Sequence, residues 1–203
     1  MSGEIRVETT GSLGLVTIDY RARRNALTLS MWAGIEHAIQ TLGGDKGVRA
    51  ILIHGAGDHF AAGADMSEFA TLWGTRAKAH AAADQLARAT AAIEACPKPV
   101  IAAIEGSCMG AGLSIATASD LRVVSERAKF ALPPAKIGAS YPYSDLRRLV
   151  DLIGQGAARD MMLTARIIDA KEAEALGLAS RLSEHGAALS VAKRIGQEIS
   201  ALS

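Results

Sequence analysis

An α/β fold is predicted for this chain, and three observations carry the prediction. Apolar runs such as VIAAIEG at 100–106 read as strands buried on both faces, helical segments separate them, and a glycine-containing loop follows each of two such strands. With 203 residues and no linker-like, low-complexity or charge-run stretch, residues 1–203 read as a single domain able to bury a sizeable core.

The elements follow in order. Ile5 and Val7, then Leu13, Leu15, Val16 and Ile18, flank a Gly11-Ser12 turn and predict two antiparallel strands. A helix is expected from about Ser30 to Leu42, with Ser30 as N-cap and Met31, Ile35, Ala38, Ile39 and Leu42 on one face. VRAILIHG at 48–55 is the next strand and stops at Gly55. The Ala-rich segment from Arg76 to Ala95 is helical by propensity and is ended by Pro97 and Pro99. After VIAAIEG, the runs DLRVVS and AKFAL predict short strands. Helices near 144–152, 155–164 and 169–175 follow, then a short strand, LASRL.

Composition narrows the function. Basic and acidic residues nearly cancel, 22 against 21, so no overall field calls for nucleic acid or a membrane surface. The longest charge-free stretch, between Glu105 and Asp120, is too short to span a bilayer, and MSGEIRVETT holds no apolar signal segment, so a cytoplasmic protein is expected. Cys96 and Cys108 have neither metal spacing nor a disulfide framework; both read as small buried fillers, and no metal site is expected.

Two segments, AILIHGAGDHFAAGADMSEF and VIAAIEGSCMGAGLSIATA, each give a strand, a Gly-containing loop and a helix start, about fifty residues apart. Stacked side by side, their loops open at the same sheet edge, where ligands of such sheets collect. The second carries MGAGLSIA at 109–116. A phosphate-binding P-loop would need Lys where Leu113 stands, and a dinucleotide fingerprint would need Gly or Ala at Ile115. What remains is a turn whose free N–H groups, at the positive end of a helix, face a small negative charge.

Taken together, RRNALT at 23–28, FAAGADMSEF at 60–69, VIAAIEGSCMGAGLSIATASDLRV, AKFALPPAKIG and MMLTARIIDAKEAEALGLASRL resemble the enoyl-CoA hydratase/isomerase, or crotonase, superfamily in order and spacing, from about residue 4 to about 183. The resemblance implies a crotonase-like fold: repeated ββα units forming a spiral core, with the C-terminal helical extension short or absent. It implies an enzyme of the lyase/isomerase class in fatty acid metabolism, with coenzyme A as part of the substrate and no other cofactor. It also implies a homo-oligomer, a trimer or hexamer.

The resemblance assigns roles as well. The backbone N–H groups of Ala64 and Ala111 would bind the thioester oxygen and stabilise an enolate; Ala111 stands where the family commonly has Gly. Ser114 and Pro134 occupy the positions of the two hydratase glutamates. Neither can replace a carboxylate, which argues against ordinary hydration. Tyr141 falls at the variable catalytic position, an arrangement resembling that of methylmalonyl-CoA decarboxylases, and a phenol protonated at neutral pH could donate to an enolate carbon. Arg23 and Arg24 would meet the CoA phosphates and adenine, and Ala26, Ala62, Asp65, Met66 and Gly110 complete the substrate-binding positions. Asp65 is also a helix-cap residue, Asp145 is expected to lie exposed in a first helical turn, and His54 and His59 flank the GAGD turn as solvated loop residues or a base. Isomerisation, decarboxylation and thioester hydrolysis all remain open, as does a CoA-thioester-binding protein without catalysis.

Overall fold

The computed structural model describes residues 2–72, 74–138 and 140–202, apart from the side chains of Phe69 and Ile137. A six-stranded sheet runs β1-β2-β3-β4-β6-β9. Its strands are β1 (Glu4–Thr10), β2 (Leu13–Asp19), β3 (Ala50–Gly55), β4 (Val100–Ile104), β6 (Leu121–Ser125) and β9 (Arg181–Ser183). β1 and β2 form the expected antiparallel hairpin, and every later pairing in this sheet is parallel. A smaller sheet joins β5 (Ser107–Met109), β7 (Lys129–Ala131) and β8 (Ile167–Asp169).

Alternation along the strands explains why they read as unbroken apolar runs. Val16, Ile18, Ile51, Ile53, Val100, Ala102, Ile104 and Val124 enter one core, which also takes Met31, Trp32, Ile35, Ile39 and Leu42 of α1 (Leu29–Gly44) and Ala89 and Ile93 of α3 (Arg76–Glu94). The intervening Leu13, Leu15, Ala50, Leu52, Ile101, Ala103 and Val123 enter a second core on the opposite face. Ala188 and Ala192 of α7 (Ala188–Ser200) close that side.

Several boundaries differ from the sequence expectation. Thr28, not Ser30, caps α1: Thr28 is extended and its Oγ1 accepts the Met31 N–H at 3.3 Å, whereas Ser30 already lies in the first turn. β3 begins at Ala50 rather than Val48, and the strand expected over LASRL is displaced to Arg181–Ser183. The helices expected at 144–152 and 155–164 form α5 (Tyr143–Thr164), broken at Gly154 where φ is 77° and ψ 159°. After the short α2 (Phe69–Leu72), α4 spans Ala111–Ala118, and α6 (Ala170–Ala175) is capped by Asp169. Cys108 is buried as expected, while Cys96 is only half-buried.

Candidate active site

The two repeated loops do open side by side, because β3 and β4 are adjacent and parallel, with Ile51 opposite Val100. Their backbones are then knitted together. Phe60 N–H donates to Glu105 O, Ala61 N–H to Ser107 O and Met109 N–H to Ala61 O. On its other flank the first loop pairs with the segment before α1: Leu27 N–H donates to Gly63 O and Asp65 N–H to Leu27 O, both at 2.8 Å. This isolated parallel bridge uses the groups on either side of Ala64, so the Ala64 amide faces away from Leu27.

In the second loop, Gly110 N–H donates to Ala131 O, and Gly110 itself has φ 46° and ψ −108°, a conformation open in practice to glycine. That turn starts α4 with Ala111 as its first residue and no side-chain cap. Among the described residues, the amides of Ala64 and Ala111 have no protein acceptor. The helix start also lies directly against the first loop: a Cβ on Gly112 would sit 2.6 Å from Ala61 O and 2.9 Å from Ala61 Cβ. The sequence-predicted donors thus stand on two loops held in backbone contact, beside the N-terminal end of a helix dipole.

Tyr141 reaches the same place from the other side. Its hydroxyl donates to Gly110 O at 3.1 Å and lies 2.5 Å from Ser114 Oγ, so with its own proton committed it accepts from Ser114. Ser114 is buried on α4 and Tyr141 is half-buried. Burial, followed by the nearby Asp145 carboxylate, raises the Tyr141 phenol above its ordinary value, so it stays protonated across the physiological range and is a donor rather than a base. Pro134 opens the 3-10 turn Pro134–Ile137 adjoining Pro133, whose ring lies 3.9 Å from where a Gly110 Cβ would be. Neither Ser114 nor Pro134 carries an acid.

Several acids and both histidines around the loops make structural bonds, while exposed Asp58 in the first loop and Glu105 Oε2 have no hydrogen-bond partner among the described residues. Asp65 Oδ1 accepts from both Ser67 N–H and Ser67 Oγ, so it caps the turn leading to α2 rather than the helix itself. Glu68 accepts from Leu29 N–H at 2.8 Å, and Glu105 Oε1 accepts from Ala188 N–H at the start of α7. Asp145 is buried, contrary to the exposure expected of it, because Arg148 binds it at 2.6 Å and Thr90 donates to it across from α3. His54 takes the Thr17 hydroxyl at Nε2 and donates from Nδ1 to Gly55 O; burial lowers its pKa. His59 Nδ1 accepts the Ser107 N–H. Both histidines are half-buried and bonded rather than solvated.

A cleft of about 400 Å³ beside these loops is lined by Arg21, Ala22, Arg24, Ala56, Gly57, Asp58 and His59. Of the two arginines the sequence points to, Arg24 lines this cleft and exposed Arg23 does not; Arg21 takes its place. Ala26 and Ala62 are half-buried, with their amides bonded to Arg23 O and Arg24 O, and Met66 is 52% exposed beyond Asp65.

Sequence reasoning missed Asn25. It is fully buried with φ 59°, its Nδ2 donates to Ala56 O and His59 O, and its Oδ1 accepts Tyr20 N–H. An Asn in RRNALT, between a strand and a helix cap, is a residue that tolerates the left-handed conformation and bonds neighbouring backbone, and that was the available signal.

The family model for enoyl-CoA hydratase/isomerase matches residues 8–201. The chain is 33% identical to the peroxisomal Delta(3,5)-Delta(2,4)-dienoyl-CoA isomerase of Arabidopsis thaliana, over 88% of this chain and 68% of the relative. It is 31% identical to the short-chain-enoyl-CoA hydratase of Clostridium acetobutylicum, over 95% and 74%. Among solved structures it resembles an enoyl-CoA hydratase/isomerase family protein from Hyphomonas neptunium, with 46% identity, a TM-score of 0.95, and coverage of 97% of this chain and 76% of that one. An enoyl-CoA hydratase from Bacillus anthracis gives 27% identity and a TM-score of 0.91, over 97% and 76%.

Proposed function

The chain belongs to the enoyl-CoA hydratase/isomerase family, whose members act on acyl-CoA, and we propose that it decarboxylates a malonyl-type CoA thioester through an enolate held between the Ala64 and Ala111 N–H groups. The observation that carries this reading is the pairing of two acceptor-free amides with a protonated Tyr141, where the family's glutamate positions hold Ser114 and Pro134. Hydration and isomerisation both begin with a proton transfer that needs a base, and Asp65, Glu68, Asp145 and His54 are engaged in structural bonds.

Decarboxylation needs none. The bond between the α-carbon and the carboxylate breaks, carbon dioxide leaves, and the electron pair passes into the enolate, whose oxygen takes both amides. Each such donor in a preorganised site is worth roughly 3 kcal/mol in the transition state. Tyr141 then passes its hydroxyl proton to the α-carbon and is reprotonated from solvent. Arg21 and Arg24, which line the cleft beside the first loop, supply cations for the phosphates of the CoA moiety.

Mass spectrometry of crotonyl-, malonyl-, methylmalonyl- and branched acyl-CoA incubated with the protein in heavy water tests the proposal. Loss of carbon dioxide with gain of one deuterium at the α-carbon is expected for a malonyl-type substrate. Deuterium exchange without carboxylate loss would point to isomerisation, free CoA to thioester hydrolysis, and an unchanged panel with binding still detectable by thermal shift to a protein that binds thioesters without turnover.

A further inference from the structure

The two donor peptides are anchored differently. In the Gly63–Ala64 peptide, the carbonyl on the far side of the amide bond accepts one bond, from Leu27 N–H at 2.8 Å. In the Gly110–Ala111 peptide, the carbonyl accepts two: Ser114 N–H at 3.0 Å, the first bond of α4, and the Tyr141 hydroxyl at 3.1 Å. A carbonyl oxygen has two lone pairs, and both are filled here. Because a peptide unit is planar and trans, fixing the carbonyl on one side fixes the direction of the N–H on the other.

We propose that the hydrogen-bond chain Ser114 to Tyr141 to Gly110 O is a positioning device for the oxyanion site, with Tyr141 locking and polarising the peptide whose N–H belongs to Ala111. This rests on the oxyanion reading of Ala111 and adds a role for Tyr141 that precedes its proton transfer. The need is local. Gly110 has no side chain to restrict its own backbone, and its φ of 46° lies in the left-handed region that glycine adopts freely. A second hydrogen bond to its carbonyl removes that freedom. Donation to a carbonyl also draws electron density from the amide nitrogen, so the N–H becomes a stronger donor, the cooperative effect seen along hydrogen-bond chains. Ser114, donating to the tyrosine oxygen, makes the phenol proton more available to Gly110 O in the same sense.

The device also accounts for the residue at 114. A glutamate there would be an acceptor facing the Tyr141 hydroxyl and would compete with Gly110 O for its proton; serine is a donor and sends that proton on to the carbonyl.

The test is difference infrared spectroscopy of acetyl- and butyryl-CoA carrying ¹³C at the thioester carbonyl. Neither loses a carboxylate, so the band reports polarisation in the bound ground state. The wild-type chain is expected to shift the carbonyl band to lower frequency on binding. Tyr141→Phe removes only the hydroxyl, and the shift is expected to fall by roughly 5 to 15% from lost polarisation alone, because a cooperative weakening of about 10–30% falls on one of two donors, and by more as the unlocked peptide turns. Incorporation of 3,5-difluorotyrosine at position 141, measured near pH 6 where the phenol stays protonated, makes a stronger donor in the same shape and is expected to enlarge the shift. This second variant keeps the proposal testable if Tyr141→Phe folds poorly. A full shift in Tyr141→Phe, or no enlargement with the fluorinated residue, overturns the positioning role and leaves Tyr141 as proton donor alone. Absence of any shift in the wild-type chain overturns the oxyanion reading beneath it.

Discussion

Removing the Arg148 guanidinium while keeping its bulk, as in Arg148→Met, should destabilise the fold by about 3 kcal/mol. Arg148 and Asp145 are 6% and 5% exposed at their side chains and meet at 2.6 Å, so the variant strands a buried carboxylate. Breaking such a pair costs about 3 to 5 kcal/mol, and the bond from Thr90 at 3.4 Å survives, which places the cost at the lower end. The second partner of Arg148 matters less: Glu94, 43% exposed, can return to water, and that half of the network is worth at most about 1 kcal/mol. With a urea dependence of roughly 2 kcal/mol per molar, the unfolding midpoint should drop by about 1.5 M. The double variant Asp145→Asn/Arg148→Met should recover most of the loss, since a buried pair replaced as a unit leaves no stranded charge. A midpoint change in the single variant below about 0.5 M, equivalent to about 1 kcal/mol, would refute the argument. So would a double variant no more stable than the single.

Ala111→Pro deletes one amide hydrogen at the first position of α4, where proline is tolerated, so turnover should fall about 10² to 10³-fold with the thermal midpoint little changed; steady-state kinetics beside a melting curve decide it. Gly112→Ala pushes a methyl against Ala61 O and should cost roughly 1 to 3 kcal/mol in chemical denaturation while separating the loops, with turnover falling further than stability alone explains. His54 has its pKa lowered by burial, so the unfolded chain binds more protons than the folded one once the pH falls below the ordinary histidine value of 6.5. Stability should therefore decline from pH 7 to 5, and His54→Gln should flatten that slope in urea titrations at each pH. Burial raises the Cys108 thiol, so a thiol-reactive dye under native conditions should label Cys96 well ahead of Cys108.

The large parallel strands were legible because burial on both faces leaves long apolar runs, and the two glycine-containing loops were legible because they sit on a repeated pattern. The three-residue strands β5 and β8 show no period that a sequence can display: β5 forms where the first loop and β7 flank it, and β8 forms by pairing with β7. α7 was readable and overlooked: Ala188, Ala192, Ile195 and Ile199 recur at helical spacing. The burial of Asp145 was not readable, since a charged residue in a first turn looks solvated until the arginine three positions on and the threonine on another helix are placed beside it. The Tyr141 bond to Gly110 O likewise joins residues 31 positions apart in the sequence.

Asn25 gives the loops a shared fate. One carboxamide holds Ala56 O, His59 O and Tyr20 N–H, so the end of β2, the first loop and the approach to α1 cannot part singly. In native-state hydrogen exchange this would appear as one cooperative unit, the amides of Leu27, Phe60 and Asp65 opening with a common free energy instead of fraying in turn. A molecule that enters the cleft therefore meets a wall that either stands or gives way whole.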